Sequence, residues 1–297
     1  MNFPKYSIRK YSPVQLIVIP MILLAVALIL IGLTWMATGL PVTPGIDFSG
    51  GISVTIGTSD TTDEVENYFA GYPLESVQGI DSGEGVSYLY LKFSSLDNDG
   101  YLKLVSHVSE RYPDAKIDLI GESFGQTLQH QAMLALLFSF IGMAIVVFLI
   151  FRTFVPSSAV VISAFADIAM TAGAMNLIGI PLSLGTTAAL LMLIGYSVDS
   201  DILLTNRVLK RKGEFNEKIE GAFRTGLIMT STTFGALAAM GFIAYIGQIT
   251  IIWEISVVLL IGLFFDVLNT WLTNAGILKW YVLSGKGRIS SGKRGGA

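Results

Sequence analysis

The sequence predicts an α-helical membrane protein with several spans and one α/β domain outside the membrane. Of the 297 residues, 52% are hydrophobic and only 14% are charged, whereas soluble domains carry about 25% charged residues. Six segments are apolar over the roughly 20 residues that a membrane-spanning helix needs. A polar insert, residues 42–130, separates the first of these segments from the other five. The fold class follows from these three observations.

The first predicted span, residues 14–35, follows a basic N-terminal stretch and so has one feature of a signal peptide. Its apolar run is longer than the ~7–15 residues of a signal-peptide core, and we therefore interpret it as an uncleaved membrane anchor. The other predicted spans are 131–151, 157–178, 185–206, 226–246 and 252–278.

The distribution of basic residues predicts the orientation of the spans. Lysines and arginines gather before the first span, between the fourth and fifth spans and after the last one, whereas the short links after the third and fifth spans carry no charge. Because cytoplasmic loops are enriched in Lys and Arg, we expect a multi-pass protein of the cell membrane with both termini in the cytoplasm. The predicted parts are a cytoplasmic N-terminus at 1–13, a first transmembrane helix at 14–40, an extracytoplasmic domain at 41–130, five further transmembrane helices within 131–283 and a cytoplasmic basic tail at 284–297.

The link between the fourth and fifth spans, residues 206–223, is rich in charged residues. This composition predicts a cytoplasmic interfacial helix, whose charges contact water and lipid headgroups. Membrane lipid is therefore the expected partner of this segment.

The insert shows the pattern of a small α/β domain. Thr61 precedes a run with acidic residues in its first turn, which is a helix start signal, and VSYLYLKFS alternates as a strand does. The predicted order βαββαβ is that of the ferredoxin-like split motif. Because this fold hosts many functions, it predicts none by itself. The predicted strands are 52–57, 74–80, 86–94 and 116–121, and the predicted helices are 61–72 and 97–112.

Acidic residues far outnumber basic ones in the insert, whose basic residues are Lys92, Lys103, Arg111 and Lys116. An acidic surface keeps an exposed domain soluble and disfavours nucleic acid or anionic lipid as its partner. We therefore expect no nucleic-acid partner.

The sequence offers little material for a metal or cofactor site. It contains no cysteine and two histidines, His107 and His130, so Cys-based metal sites are impossible and the scattered histidines are too few for a metal cluster. No arrangement of nucleophile and base is recognisable. We expect no metal, no cofactor and no enzymatic activity.

Four acidic residues fall inside the predicted spans, where ionisable groups are costly and usually line a bundle interior or an ion path. They are Asp167 in the third span, Asp199 and Asp201 in the fourth and Asp266 in the sixth. Asp199 and Asp201 are about 200° apart around a helix, so one can face its own bundle while the other faces elsewhere, for example toward a partner. Each acid is either a carrier of protons or ions or a hydrogen-bonded group that holds helices together.

Further polar residues lie near the start of the fifth span. Arg224 lies at its cytoplasmic end, and Thr232 and Thr233 belong to a polar band one to two turns deeper. Together with the acids of the fourth span, these residues can form a proton or ion relay. The alternative for Arg224 is that it only extends to the interface, as arginines at helix ends commonly do.

The stretch GIDFSGG follows the first span, beyond two prolines that end a helix. It lacks the Gly-Lys-Ser/Thr ending of a phosphate-binding loop. Its glycines permit sharp backbone turns, its Asp can cap backbone N–H groups and its Phe can anchor at the apolar boundary. We therefore predict a structural hinge that couples the first span to the outer domain. The residues of this predicted hinge are Gly45, Asp47, Phe48, Gly50 and Gly51.

Two of these stretches together resemble a known family. GIDFSGG after the first span and IGYSVDSDILLTNRV through the fourth are similar to the SecF family of Sec translocon accessory proteins. GESFGQTLQHQA, residues 121–132, resembles the family's short exit from the outer domain, and RTGLIMTSTT, residues 224–233, resembles its entry into the fifth span. The resemblance covers essentially the whole chain, and the Val-Asp-Ser-Asp form of the fourth-span motif looks like archaeal members.

The resemblance implies that this chain is similar to half of a resistance-nodulation-division (RND) transporter. The other half would be supplied by SecD. The resemblance also implies that both subunits use a proton or sodium gradient to help the Sec translocation channel export unfolded secretory polypeptides. Many bacterial members continue the motif Gly-Tyr-Ser with an apolar residue, Asn and Asp, whereas here Asp199 and Ser200 occupy the last two places and Asp201 follows. The corresponding motif of SecD and RND exporters has Val-Asp, which matches Val198 and Asp199. We therefore place the coupling role on Asp199 first and Asp201 second, with Arg224 where the family has a functional arginine. The remaining motif residues are Gly195, Tyr196 and Ser197.

Two other functions stay open at this point. The chain can be half of an RND-type exporter of small molecules or lipids, although its outer domain is small for a substrate cleft. It can also be a structural scaffold of the translocon, in which the acids serve only to pack helices together.

Overall fold

The computed structural model describes residues 11–81, 87–211, 214–247 and 249–284. Most of the predicted cytoplasmic N-terminus and basic tail lie outside these residues. The described chain contains six helices that are long and apolar enough to cross a membrane, and a four-stranded sheet. A multi-pass membrane fold with an α/β domain after the first helix is thereby confirmed.

The first membrane helix, α1, covers Pro13–Thr38 and is capped at both ends. The Ser12 hydroxyl accepts the Gln15 N–H at 3.2 Å, while the Gln15 side chain accepts the Ser12 N–H at 2.8 Å, which is a reciprocal capping box. At the other end Gly39 adopts a left-handed conformation with φ of 75°, which glycine reaches without steric strain. The short helix α2, Ile46–Ser49, follows within GIDFSGG.

The outer domain contains the predicted βαββαβ order. Its elements are β1 (Gly51–Thr58), α3 (Thr62–Tyr68), β2 (Leu74–Asp81), β3 (Ser87–Phe93), α4 (Asn98–Arg111) and β4 (Lys116–Ile120). The sheet has the strand order β2-β3-β1-β4, and every neighbouring pair is antiparallel. This is the arrangement of the ferredoxin-like fold that the element order predicts.

The two faces of this sheet differ in character because successive side chains of a strand point to opposite faces. Ile52, Val54 and Ile56 of β1 are fully buried and belong to one core with Phe69, next to α3, and Leu104 of α4. The other face carries polar and aromatic side chains and lies toward the outer ends of the membrane helices.

Five more membrane helices complete the bundle. They are α5 (Glu122–Phe151), α6 (Phe154–Ile178), α7 (Leu184–Lys210), α8 (Phe215–Ile246) and a last helix built from α9 (Thr250–Leu268), a π-helical turn (Asn269–Asn274) and α10 (Ala275–Leu283). Helices α6 and α7 are the most buried, whereas α1, α5 and α8 leave most of their apolar residues on the outer surface. That surface suits contact with lipid or with another membrane subunit.

The helices at two of the links are longer than the predicted spans. Most of GESFGQTLQHQA belongs to α5, which begins at Glu122. The segment 206–223 is not a separate interfacial helix, because α7 continues to Lys210 and α8 begins at Phe215. In both cases the helix extends beyond the apolar run, since Glu, Gln, Lys and Arg are themselves good helix formers.

Candidate functional site

Three carboxylic acids are buried inside the membrane bundle. Asp167 on α6, Asp201 on α7 and Asp266 on α9 are each no more than 1% exposed. The two ion pairs found among the described residues both lie in the outer domain. Within the described residues, the three buried acids therefore depend on neutral hydrogen-bond donors. A buried carboxylate without a cation is strongly unfavourable unless it is well hydrogen-bonded or takes up a proton.

Asp167 has a donor for each of its oxygens. The Ser197 hydroxyl on α7 donates to Oδ2 at 2.5 Å, and the Asn269 amide in the π-helical turn donates to Oδ1 at 2.6 Å. A serine hydroxyl has one hydrogen to give and an asparagine amide has two, so both oxygens are supplied. Asp167 therefore links α6 to α7 and to the last membrane helix.

Asp201 and Asp266 share a donor. The Thr270 hydroxyl lies 2.9 Å from Oδ1 of Asp201 and 3.1 Å from Oδ1 of Asp266, but it has a single hydrogen to donate. The Asn274 amide donates to Oδ1 of Asp201 at 2.8 Å, whereas Oδ2 of Asp201 is buried and has no hydrogen-bond partner among the described residues. Asp201 and Asp266 thus have fewer hydrogen-bond donors of their own than Asp167, which has one donor for each carboxylate oxygen.

Ser200 is the other hydroxyl near Asp266. Its Oγ lies 2.8 Å from Oδ1 of Asp266, 2.9 Å from the Ser197 carbonyl oxygen and 3.1 Å from the Thr270 hydroxyl oxygen. One hydrogen cannot serve all of these acceptors. A protonated Asp266 carboxyl would have a hydrogen of its own, which it could donate to the Thr270 or Ser200 oxygen.

The π-helical turn contributes residues that the sequence-based prediction lacks. Asn269, Thr270, Thr273 and Asn274 are all buried, and three of them bond the buried acids. π-Helical turns are rare and occur frequently at functional sites. The signal in the sequence is the run NTWLTN, in which four polar residues interrupt an apolar span.

Asp199 lies on the other side of α7. Its side chain is exposed on the outside of the bundle, as are Gly195 and Tyr196, whereas Ser197 and Asp201 are buried. The two acids face different ways, as their spacing predicts. The placement does not support ranking Asp199 ahead of Asp201, because the packing of α7 brings the second acid, not the first, to Asp266.

The polar residues of α8 also lie outside the acid cluster. Arg224 and Thr232 are exposed, and Thr233 is half-buried. The hydroxyls of both threonines donate to the Met229 carbonyl oxygen of their own helix, at 2.8 and 3.1 Å. The structure does not bring these residues together with the buried acids of this chain, and their part in a relay stays a prediction.

The hinge stretch GIDFSGG contacts the link between α6 and α7. The Gly45 N–H donates to the Leu182 carbonyl at 2.8 Å, and the Leu182 N–H donates to the Thr43 carbonyl at 2.8 Å. The Asp47 carboxylate accepts the N–H of Leu184, the first residue of α7, at 2.8 Å. A carboxylate at a helix N-terminus satisfies a free N–H group and interacts favourably with the helix dipole, so Asp47 stabilises the start of α7.

The same stretch packs against the start of α5. Gly50 and Gly51 have φ of 71° and 115°, which side chains rarely allow. A Cβ at Gly50 would lie 2.7 Å from Cα of Glu122, and a Cβ at Gly125 would lie 2.9 Å from the carbonyl oxygen of Phe48. The two glycine-containing stretches therefore meet backbone to backbone, and Phe48 is 1% exposed beneath them.

Comparisons with known proteins agree with this architecture. The family described as protein export membrane protein SecD/SecF, C-terminal, matches residues 101–284. The protein-export membrane protein SecF of Methanolacinia petrolearia is 54% identical over 280 residues, which cover 94% of this chain and 98% of the relative. The protein-export membrane protein SecF of Haloferax volcanii is 42% identical over 283 residues, which cover 95% of this chain and 97% of the relative.

Solved structures show the same fold. The crystal structure of SecDF, a translocon-associated membrane protein from Thermus thermophilus, matches with a TM-score of 0.72 at 19% identity, over 94% of this chain and 39% of that protein. This chain thus spans less than half of the SecDF chain. SecDF in its super-membrane-facing form matches with a TM-score of 0.56 at 17% identity. The family match and the identity to these relatives show that this chain belongs to the SecF family of protein-export membrane proteins.

Proposed function

We propose that the protein is an accessory subunit of the Sec protein translocation machinery that pairs with SecD and uses a transmembrane proton gradient to assist polypeptide export. The observation that carries this proposal is the buried cluster of Asp167, Asp201 and Asp266. Three carboxyls that meet no basic side chain in the described part of the chain cannot all be ionised in a medium of low dielectric constant. Protons must occupy part of the cluster, and their uptake and release is what coupling to a gradient requires.

Protonation would change the hydrogen bonds between helices. When Asp266 holds a proton, it donates to Thr270 or Ser200. When it loses the proton, it accepts hydrogens from Ser200 and Thr270, and the hydrogen of Thr270 is then no longer available to Asp201. The contact between α7 and the π-helical turn therefore differs between the protonated and deprotonated states. We propose that this contact moves when the proton is taken up or released.

Helix α7 can carry such a change to the outer domain. Its first residue, Leu184, is held by Asp47 of the hinge, and Asp201 lies about 26 Å further along at 1.5 Å per residue. A helix transmits a shift along its axis because its backbone hydrogen bonds keep it rigid. A movement at the acid cluster therefore reaches the stretch that joins α1 to the outer domain.

SecD is the proposed partner within the membrane, since this chain corresponds in fold to part of SecDF. Asp199 is exposed on the outside of the bundle, and a carboxyl at that depth is unfavourable against lipid. A SecD helix against this side of α7 would cover it. In this proposal both termini are cytoplasmic, the outer domain meets the unfolded polypeptide leaving the Sec channel, and no enzymatic step or cofactor takes part.

The test replaces Asp201 by Asn in cells that also produce SecD. We expect export of a secreted reporter to lose its dependence on the proton gradient while SecD still copurifies. Asp114→Asn, which removes an exposed charge from the outer domain, serves as the control and should leave export unchanged. Gradient-dependent export by Asp201→Asn would contradict ion coupling, and a lower Tm with normal export would favour the scaffold function.

A further inference from the structure

A cavity of about 340 Å³ lies between the outer domain and the membrane helices, within the size range of small-ligand sites. One wall is the polar face of the sheet, with Thr55, Tyr88 and Tyr90. The other wall is the link between α6 and α7 together with the start of α9, which contributes Trp253 and Glu254. None of these residues belongs to the buried acid cluster.

The lining combines aromatic rings with a carboxylate. Tyr88, Tyr90 and Trp253 contribute the rings and Glu254 the carboxylate, and none of the described lining residues is a lysine or an arginine. Aromatic rings attract cations by about 0.5–2 kcal/mol, and a carboxylate accepts short charge-assisted hydrogen bonds from ammonium and guanidinium groups. The chemistry of the cavity therefore suits an organic cation and disfavours an anion.

The surroundings of Tyr90 indicate the same preference. The pKa of Tyr90 is raised to about 12, first by burial and then by the negative charges of Glu254, Asp47 and Asp118, while a hydrogen bond with Ser53 lowers it. The charged groups that act on Tyr90 are all acidic, so a cation is favoured over an anion at this place.

Two lysines share this face of the sheet, and neither lines the cavity. Lys116 of β4 lies opposite Thr55 of β1. Lys92 of β3 forms an ion pair with Glu75 of β2 at 2.8 Å. Lys92 is thus paired with Glu75, and the lining of the cavity itself keeps its preference for a cation from outside.

The edge of the sheet indicates which molecule brings the cation. Strand β2 borders the cavity through Gly79, and in the described sheet it pairs only with β3. Its outer edge thus presents backbone N–H and C=O groups to which an extended polypeptide can add as a further strand. A lipid amine makes no use of a strand edge, which favours a polypeptide as the source.

We infer that the cavity binds the ammonium or guanidinium group of a Lys or Arg side chain in an extended polypeptide that lies along the edge of β2. Glu254 accepts the charge-assisted hydrogen bond, and Tyr88, Tyr90 and Trp253 contact the cation and its aliphatic stem. The inference rests on the proposed function, because the exported polypeptide is the chain that would pass this edge. It gives the outer domain a contact with the substrate that is separate from the acids in the membrane.

The test measures peptide binding to the full-length protein with SecD, in lipid nanodiscs and without an ion gradient. The probe is a dye-labelled unstructured peptide with one central Lys, and the matched peptide carries Gln in its place. We expect the Lys peptide to bind about tenfold more tightly, the effect of one hydrogen bond to a charged group. Glu254→Gln should abolish this preference, whereas Glu66→Gln, which removes an exposed carboxylate from α3, should keep it.

A second variant separates loss of binding from loss of folding. Tyr88→Leu removes an aromatic ring from the sheet face but leaves Glu254 in place, and it should weaken binding of the Lys peptide and not of the Gln peptide. Equal affinity of the parent protein for both peptides overturns the inference. Loss of the Lys preference when the nanodisc contains a lipid with an amine headgroup also overturns it, because the cavity would then be a lipid site.

The two proposals fail in different experiments. If the parent protein shows no Lys preference while Asp201→Asn still abolishes the gradient dependence of export, only the cavity inference is wrong. If the Lys preference depends on Glu254 but export never depends on the gradient, only ion coupling is wrong.

Discussion

Asp167 and Asp266 are buried in one cluster, yet the hydrogens offered to them differ. Asp167 receives one donor at each oxygen, from Ser197 and Asn269. Asp266 depends on the hydroxyls of Ser200 and Thr270, which have other acceptors within reach. Hydrogen bonds to a carboxylate favour its ionised form, so within the proposed coupling we place the proton on Asp266 and not on Asp167.

We expect Asp167→Asn and Asp266→Asn to differ in stability. At position 266 an amide donates to the neighbouring hydroxyl oxygens as a protonated carboxyl does, so the Tm in detergent should stay near that of the parent. At position 167 an amide offers one neutral acceptor oxygen where the carboxylate offers two, so the hydrogen bonds from Ser197 and Asn269 are weakened or lost, which costs about 1–3 kcal/mol and lowers the Tm. Thermal unfolding of both variants side by side measures this difference, and equal losses would refute the distinct roles.

At the scale of elements, α7 connects the two parts of the molecule. Its start is held by Asp47 and by the capping box of Ser183 and Thr186, and further along it carries the buried Asp201. The same helix therefore contacts the hinge of the outer domain and the acid cluster. This double role makes the contact of Asp47 with Leu184 the natural place to test communication between them.

Asp47→Ala should loosen the start of α7. Loss of the acceptor for the Leu184 N–H is expected to cost about 1 kcal/mol, as removal of a helix cap does, and to speed hydrogen exchange at Leu184. Gradient-dependent export should fall while export without a gradient is unchanged. Asp47→Asn keeps an acceptor oxygen and is the matched control; the same exchange rate in both variants would show that this contact does not hold the helix.

At the scale of the whole molecule, the outer surface of the bundle combines apolar helix faces with one exposed carboxyl group. Helices α1, α5 and α8 present mainly apolar residues, which lipid can cover, but Asp199 is exposed on the same outside. In the proposed complex, a SecD helix that covers α7 would shield this carboxyl from lipid.

Asp199→Leu should weaken the association with SecD without unfolding this chain, because the side chain is exposed. Polar contacts between membrane helices contribute about 1–2 kcal/mol, so several-fold less SecD should copurify in detergent. Ser139→Leu, an exposed polar residue on α5 changed in the same way, is the control. Unchanged copurification of SecD with Asp199→Leu would place the partner against a different side of the bundle.

The fold could be predicted because its signals are local. Six apolar runs define the spans, and the alternation of residues 86–94 with the cap at Thr61 defines the strands and helices of the outer domain. The structure confirms both, with longer helices at 121–132 and 206–223 than the apolar runs indicate. The sequence alone also predicts which four acids lie inside the membrane, because each falls within an apolar span.

Only the tertiary structure decided how these acids are combined. The spacing of Asp199 and Asp201 requires that they face different sides of α7, but not which of them faces inward. The π-helical turn that brings Asn269, Thr270 and Asn274 to the cluster leaves no local signature beyond its polar residues. The physical reason is that an apolar span has no preferred rotation about its own axis in lipid, so contacts with neighbouring helices select which face is buried.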